Sequence, residues 1–149
     1  ALHSKGWNPT PVQTTTLPEL CGGGDRIIVA PTGSGKTLSA VLPMLHRCLV
    51  EEWKPLSILY ITPLRALNRD VDRRLTEIAE AVGLKVGLRH GDTKQSERTR
   101  QVRNPPDLLI TTPETFQLMF TGKKLMVVQC GMLWVEKINT KLMSEFTKK

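Results

Sequence analysis

Lys36 and Thr37 close the run Ala30-Pro-Thr-Gly-Ser-Gly-Lys-Thr37, and these residue types at this spacing handle phosphate. The general pattern is G-x-x-x-x-G-K-[ST], with Ala30 standing here in place of the first glycine. Gly33 and Gly35 let the backbone turn tightly enough for successive N–H groups to face one anion. The Lys36 ammonium would reach β and γ phosphates. The Thr37 hydroxyl would coordinate Mg²⁺, a cation that prefers oxygen ligands. With Gly33, Gly35, Thr32 and Ser34 they form a candidate nucleotide-binding set. The bland alternative is a turn that needs glycine and happens to carry Lys-Thr. Context speaks against it: an apolar, β-branched run (Arg26–Ala30) precedes the loop, and helical periodicity follows it.

Other stretches stand at fixed order around this loop. Gln13 lies ahead of it. Thr62-Pro-Leu-Arg-Ala-Leu67, Gly91-Asp-Thr93, Ser96-Glu-Arg98 and Thr111-Thr-Pro-Glu114 lie behind it. Together these motifs resemble a superfamily 2 helicase of the DEAD/DEAH-like kind. The Gly91-Asp-Thr93 and Ser96-Glu-Arg98 elements are similar to the large-helicase-related (Lhr) branch. The resemblance runs from about Gly6 to Leu125. It implies the first RecA-like motor domain, a P-loop fold with a mainly parallel sheet and helices on both faces. It also implies ATP and Mg²⁺ as cofactors and single-stranded DNA or RNA as a partner.

Residue by residue, the resemblance makes Gln13 a reader of the adenine edge, with Trp7 packed near the base. A surface glutamine and a core tryptophan are the competing readings. Pro63, Arg65, Thr112, Pro113 and Glu114 would line the track for the strand, with Arg65 on one phosphate. The Thr112 hydroxyl and the amides after Pro113 would meet others. Thr112-Pro113 is also a good helix start in its own right, and both roles can hold together. Lys94, Arg98, Arg100 and Arg103 read as a solvated helix face.

The resemblance breaks where an acidic pair should follow the next strand. In such helicases an Asp holds Mg²⁺ and a Glu positions and deprotonates the attacking water. This chain has no Asp-Glu pair. Val135-Glu-Lys-Ile-Asn139 stands in that place, so Glu136 takes the metal and doubtful catalytic position, and Lys137 replaces the base. A cation attracts phosphate oxygens and cannot take a proton from water. The segment is equally readable as an unrelated charged tail. Two functions therefore stand open: an ATP-dependent helicase motor domain, and a module that binds ATP and nucleic acid without hydrolysis. A small-molecule kinase leaves the T-P-L-R and T-T-P-E motifs unexplained.

These side chains need a scaffold that ends several strands along one edge. Ser57–Thr62, Lys85–Arg89, Asp107–Thr111 and Leu133–Val135 read as strands, besides Arg26–Ala30. Residues 37–52, 64–81, 96–102 and 114–120 read as helices, with Pro43 expected to kink the first and Gly83 to stop the second. Gly6 to Pro18 reads as a loop leading into a short helix. Strands alternating with helices imply an α/β fold, with ligands beyond the carboxyl ends of the strands. Residues 1–125 would form the motor domain core, and 126–149 a degenerate acid-box strand with a short basic tail.

Composition agrees. The chain has 149 residues, 40 % hydrophobic and 23 % charged, which suits a folded domain rather than a disordered one. The net charge of +7 suits a polyanionic partner without proving one. Three scattered cysteines argue against a disulfide framework and a zinc site. No apolar run spans a bilayer and no secretory signal opens the chain, so a cytoplasmic location is expected. The length leaves no room for a second motor domain, which a further domain or subunit would supply.

Overall fold

The computed structural model of the chain describes residues 8–63, 69–121 and 132–135. It divides into two units, Ala1–Trp53 and Lys54–Lys149. Trp7, Arg65, Glu136, Lys137 and Asn139, and the start of the helix expected at 64, lie outside the described residues.

The first unit holds two packed helices, α1 (Pro11–Cys21) and α2 (Lys36–Val50). Helix α1 begins at Pro11, inside the stretch Gly6 to Pro18 expected to be a loop. Thr10 and Gln13 form a reciprocal capping box, and Pro11 follows the cap, where its missing N–H is no loss. Helix α2 runs through Pro43 without interruption. It buries Val41, Met44, Leu45 and Cys48, a stripe of 3–4 spacing. Leu49, expected on that stripe, is exposed, and Cys48 takes the inward place. The Arg47 guanidinium closes the helix end, donating to Glu51 at 2.7 Å and lying over the Trp53 ring. That hydrogen bond, above all, pulls the Glu51 carboxyl below its ordinary range.

The strand expected over Arg26–Ala30 is absent. Those residues join no ladder, and Ile27 and Val29 are 79 % and 89 % exposed. A strand exists only through hydrogen bonds to a neighbour, and no described strand lends its backbone to this segment.

The second unit is a parallel α/β sheet. Its strands are β1 (Ile58–Ile61), β2 (Val86–Arg89), β3 (Leu108–Thr111) and β4 (Met132–Val135), in the order β2-β3-β1-β4. Helices α3 (Arg69–Ala81), α4 (Gln95–Arg103) and α5 (Pro113–Thr121) stand between them in the chain. The register aligns Ile61 with Thr111 and Val135, and Thr111 with Arg89, so these strand ends share one edge. Every residue of β1 and of β3 is buried, as parallel strands covered on both faces require. On one face Leu59, Ile61 and Leu109 pack with Phe116 and Met119 of α5. Helix α3 buries Leu75 and Ala79, one turn apart. It ends at Gly83 as expected. Gly83 has φ 85°, its N–H bonds Glu80 O, and Leu84 N–H reaches back to Ala79 O.

Gly87 in β2 leaves room for a ring. A Cβ there would lie 2.7 Å from Pro106 Cγ and 3.2 Å from Pro106 Cβ. A proline ring cannot swing aside, so the strand or the Pro105-Pro106 turn must shift. Gly87→Ala should therefore lower stability by about 1–3 kcal/mol, the usual cost of overpacking. Urea unfolding checks this, and an unchanged midpoint would refute it.

Candidate nucleotide and nucleic-acid site

Residues 30–37 form a loop held from below by α1. Gly35 takes φ 91° and is the residue at which α2 starts. Its carbonyl accepts three donors: Ser39 N–H at 3.0 Å, Ser39 Oγ at 3.1 Å and Gln13 Nε2 at 3.2 Å. Thr10 Oγ1 donates to Ser34 O at 2.7 Å. Gln13 is 2 % exposed, and its Oε1 accepts from Thr10 N–H at 2.9 Å. One glutamine thus caps α1 with one end and braces the phosphate loop with the other. Its carboxamide faces protein groups. The pattern T-x-x-Q at Thr10–Gln13 is a capping-box signal that the sequence reading passed over.

The upper side of the loop suits an anion. Gly35, at the N-cap of α2, has no side chain to cap the first turn, so the N–H groups there keep their partial positive charge for a ligand. Ser34 Oγ is buried without a hydrogen-bond partner among the described residues. Gly33 has φ 80° with open space where a Cβ would stand, and Thr32 is exposed beside it. Lys36 Nζ donates to Ala30 O at 2.5 Å and Pro31 O at 2.6 Å. The ammonium lies on the loop's own carbonyls, where an incoming phosphate can compete for it. Thr37, next in the helix, is partly buried. Donors and open backbone together fit a polyphosphate and its cation.

In the second unit, Pro63 follows β1 and Thr112-Pro113-Glu114 follows β3, so both lie at the carboxyl edge of the sheet. Thr112 is 2 % exposed, and its Oγ1 accepts from Thr115 N–H at 3.3 Å while donating to Thr115 Oγ1 at 3.0 Å. The capping role of Thr112 is thereby realised, with Pro113 as the first helical residue. Glu114 is exposed in the first turn of α5. Arg98, expected on a solvated face, instead ties down the loop after β2. Its Nε donates to Thr93 O at 2.8 Å, and its Nη2 to His90 O at 3.2 Å and Gly91 O at 2.6 Å. Only the fold could reveal this, because the loop carbonyls carry no sequence signal.

The DEAD/DEAH box helicase family model matches residues 10–135, from the capping box to the end of β4. The chain belongs to this family. It is 42 % identical over 136 residues to the Lhr helicase/uracil glycosylase of Escherichia coli, covering 77 % of this chain and 9 % of that relative. A hypothetical ATP-dependent RNA helicase from Sulfolobus tokodaii superposes with a TM-score of 0.77 at 25 % identity, covering 98 % of this chain and 41 % of that one. The Mycobacterium smegmatis helicase Lhr, solved with ssDNA and AMP-PNP, superposes with a TM-score of 0.68 at 33 % identity, covering 89 % and 19 %. The chain is thus a RecA-like motor domain of Lhr-like type, and it spans less than half of each of these relatives. Among the described residues no helix is long and apolar enough to cross a membrane.

Proposed function

We propose that this domain binds ATP with Mg²⁺ at residues 30–37 and grips single-stranded nucleic acid at the carboxyl edge of its sheet. The helicase activity belongs to the longer protein in which such domains occur, with a second motor domain or subunit completing the cycle. The observation that carries the nucleotide reading is the uncapped start of α2 beside the unpaired Ser34 hydroxyl. Lys36 would leave the Ala30 and Pro31 carbonyls for the β and γ phosphates. Thr37 would hold Mg²⁺, which neutralises phosphate charge when bound. Gln13 holds the loop through Gly35 O, and adenine recognition would use whatever donor capacity of its amide remains.

The strand reading rests on the motifs and on the ssDNA-bound relative. Pro63, Arg65, Thr112, Pro113 and Glu114 would line the strand. Thr112 would act by orienting the α5 start, since its hydroxyl is already bonded to Thr115. Residues 1–125 are read as the motor core and 126–149 as its degenerate acid-box end, in a cytoplasmic protein.

The second reading, a binding module without turnover, is favoured by Glu136-Lys137 in place of an acidic pair. Glu136 could still serve Mg²⁺ through water. Lys137 removes the base, and losing a general base costs about 10²- to 10⁴-fold in rate. MgATP turnover by the purified chain, with and without single-stranded DNA, separates the two. Binding of ATP with turnover depressed by about 10²-fold or more supports the module. Strand-stimulated turnover at rates ordinary for a motor would mean that another carboxylate completes the site.

A further inference from the structure

One cation at the carboxyl edge of the sheet, Arg89, keeps two buried donors that no described residue meets. Arg89 is the last residue of β2, in register with Thr111 of β3. The next position along β3 is Thr112, at the start of α5, so Arg89 stands one residue short of the strand-facing row. Its Nε and Nη1 are buried and have no hydrogen-bond partner among the described residues; the same holds for Thr111 Oγ1. Burial, and secondarily the Arg98 cation, push the Arg89 guanidinium below the ordinary arginine range. Buried donors on a charged group are costly to leave unmade, and no described residue meets these two.

The cation that faces Arg89, Arg98, is committed. Arg98 holds three loop carbonyls, as described. On the same helix, Arg100 pairs with Glu97 at 2.9 Å. Each would give up existing bonds to meet a ligand. The Nε and Nη1 groups of Arg89 would give up none. Among these groups it is therefore the one with most to gain from an external anion. A guanidinium fork matches a phosphodiester, whose oxygens lie in a plane with room for two donors.

We propose that Arg89 binds a backbone phosphate of the single strand, extending the track from Thr112 across β3 to the edge strand β2. This rests on the nucleic-acid reading above. The guanidinium turns outward from its unpaired position onto a phosphodiester oxygen, while Arg98 keeps the 90–93 loop in place beneath it.

The test is fluorescence anisotropy of a labelled oligodeoxythymidylate with the full chain, across a salt series. Arg89→Gln should weaken binding about 10- to 100-fold at low salt, the worth of one charged hydrogen-bonded contact. It should also flatten the slope of log affinity against log salt by about 0.7, the value for one phosphate of a single strand. Its melting temperature should equal or exceed that of the wild type, because an unpaired buried cation is removed. Arg89→Lys keeps the charge, so it should keep the slope and lose about 3-fold in affinity with the fork. If the glutamine variant does not fold, the lysine variant decides alone, and unchanged affinity overturns the assignment. Equal affinity and slope in wild type and variants overturn the role of Arg89 and leave the strand reading standing. A lowered melting temperature with an unchanged slope marks Arg89 as structural and overturns it too. Absence of binding by the wild type overturns the strand reading and this one together.

Discussion

Lys36→Ala is expected to lower MgATP affinity by about 100-fold or more while leaving the fold intact. The ammonium is the one side-chain cation of the phosphate loop, and its two bonds go to the carbonyls of Ala30 and Pro31. Against those neutral acceptors a doubly charged phosphate end offers a stronger, charge-assisted pair. Bonds of that kind contribute about 1.5–3 kcal/mol each, and each 1.4 kcal/mol is about tenfold. The loop itself depends little on Lys36, because Gly35 O is bonded to Gln13 and Ser39, and Ser34 O to Thr10. Isothermal titration with MgATP gives the affinity, and circular dichroism with a thermal melt gives the fold. Unchanged affinity would remove the phosphate-loop argument altogether. A lost melt would show that the carbonyl contacts of Lys36 hold the loop.

The second large effect is expected at Gly35. An alanine Cβ there would stand 2.5 Å from Gln13 Nε2 and 3.1 Å from both Gln13 Cδ and Thr10 Oγ1. The φ of 91° is itself a region that alanine avoids. Backbone strain costs about 1–3 kcal/mol, and the clash adds about as much again. Gln13 cannot simply move, because it is buried and caps α1. Gly35→Ala should therefore lower stability by about 2–5 kcal/mol, a large share of the roughly 5–15 kcal/mol of an ordinary domain. It should also weaken the bracing of the phosphate loop by α1. Gly33→Ala is the control. It has nearly the same φ, 80°, with nothing within 4 Å of the added methyl, so only the backbone term of about 1–2 kcal/mol applies. Urea denaturation of the pair compares them. Equal losses at the two positions would mean that Gln13 is not wedged against the loop.

The motifs were legible because phosphate chemistry constrains residue type and spacing together. Gly35-Lys36-Thr37 does appear at the start of a helix, and Thr112-Pro113-Glu114 does begin another immediately after a strand. Strands β1 and β3 fall where short apolar runs end in Pro or Thr, since a doubly covered parallel strand has to be apolar throughout. The failure at Arg26–Ala30 has the same root seen from the other side. Apolar, β-branched composition makes a segment able to pair, but pairing needs a second backbone, and composition does not contain it. The Lys137 substitution remains a statement about sequence, and its chemical weight rests on the turnover measurement.

By itself the sequence determined the family, the α/β alternation and the phosphate loop, because each rests on local spacing: glycines for a tight turn, period 3.6 for helices, proline and glycine at their ends. The tertiary structure alone decided what the polar side chains are bonded to. Gln13 became a cap and a brace, Thr112 a cap, Arg98 a clasp on the loop after β2, and Arg89 a cation at a sheet edge with two buried donors that no described residue meets. Hydrogen bonds act over about 3 Å, and their partners come from residues far apart in the chain. Gln13 and Gly35 are separated by 22 positions, and no local pattern records that they meet.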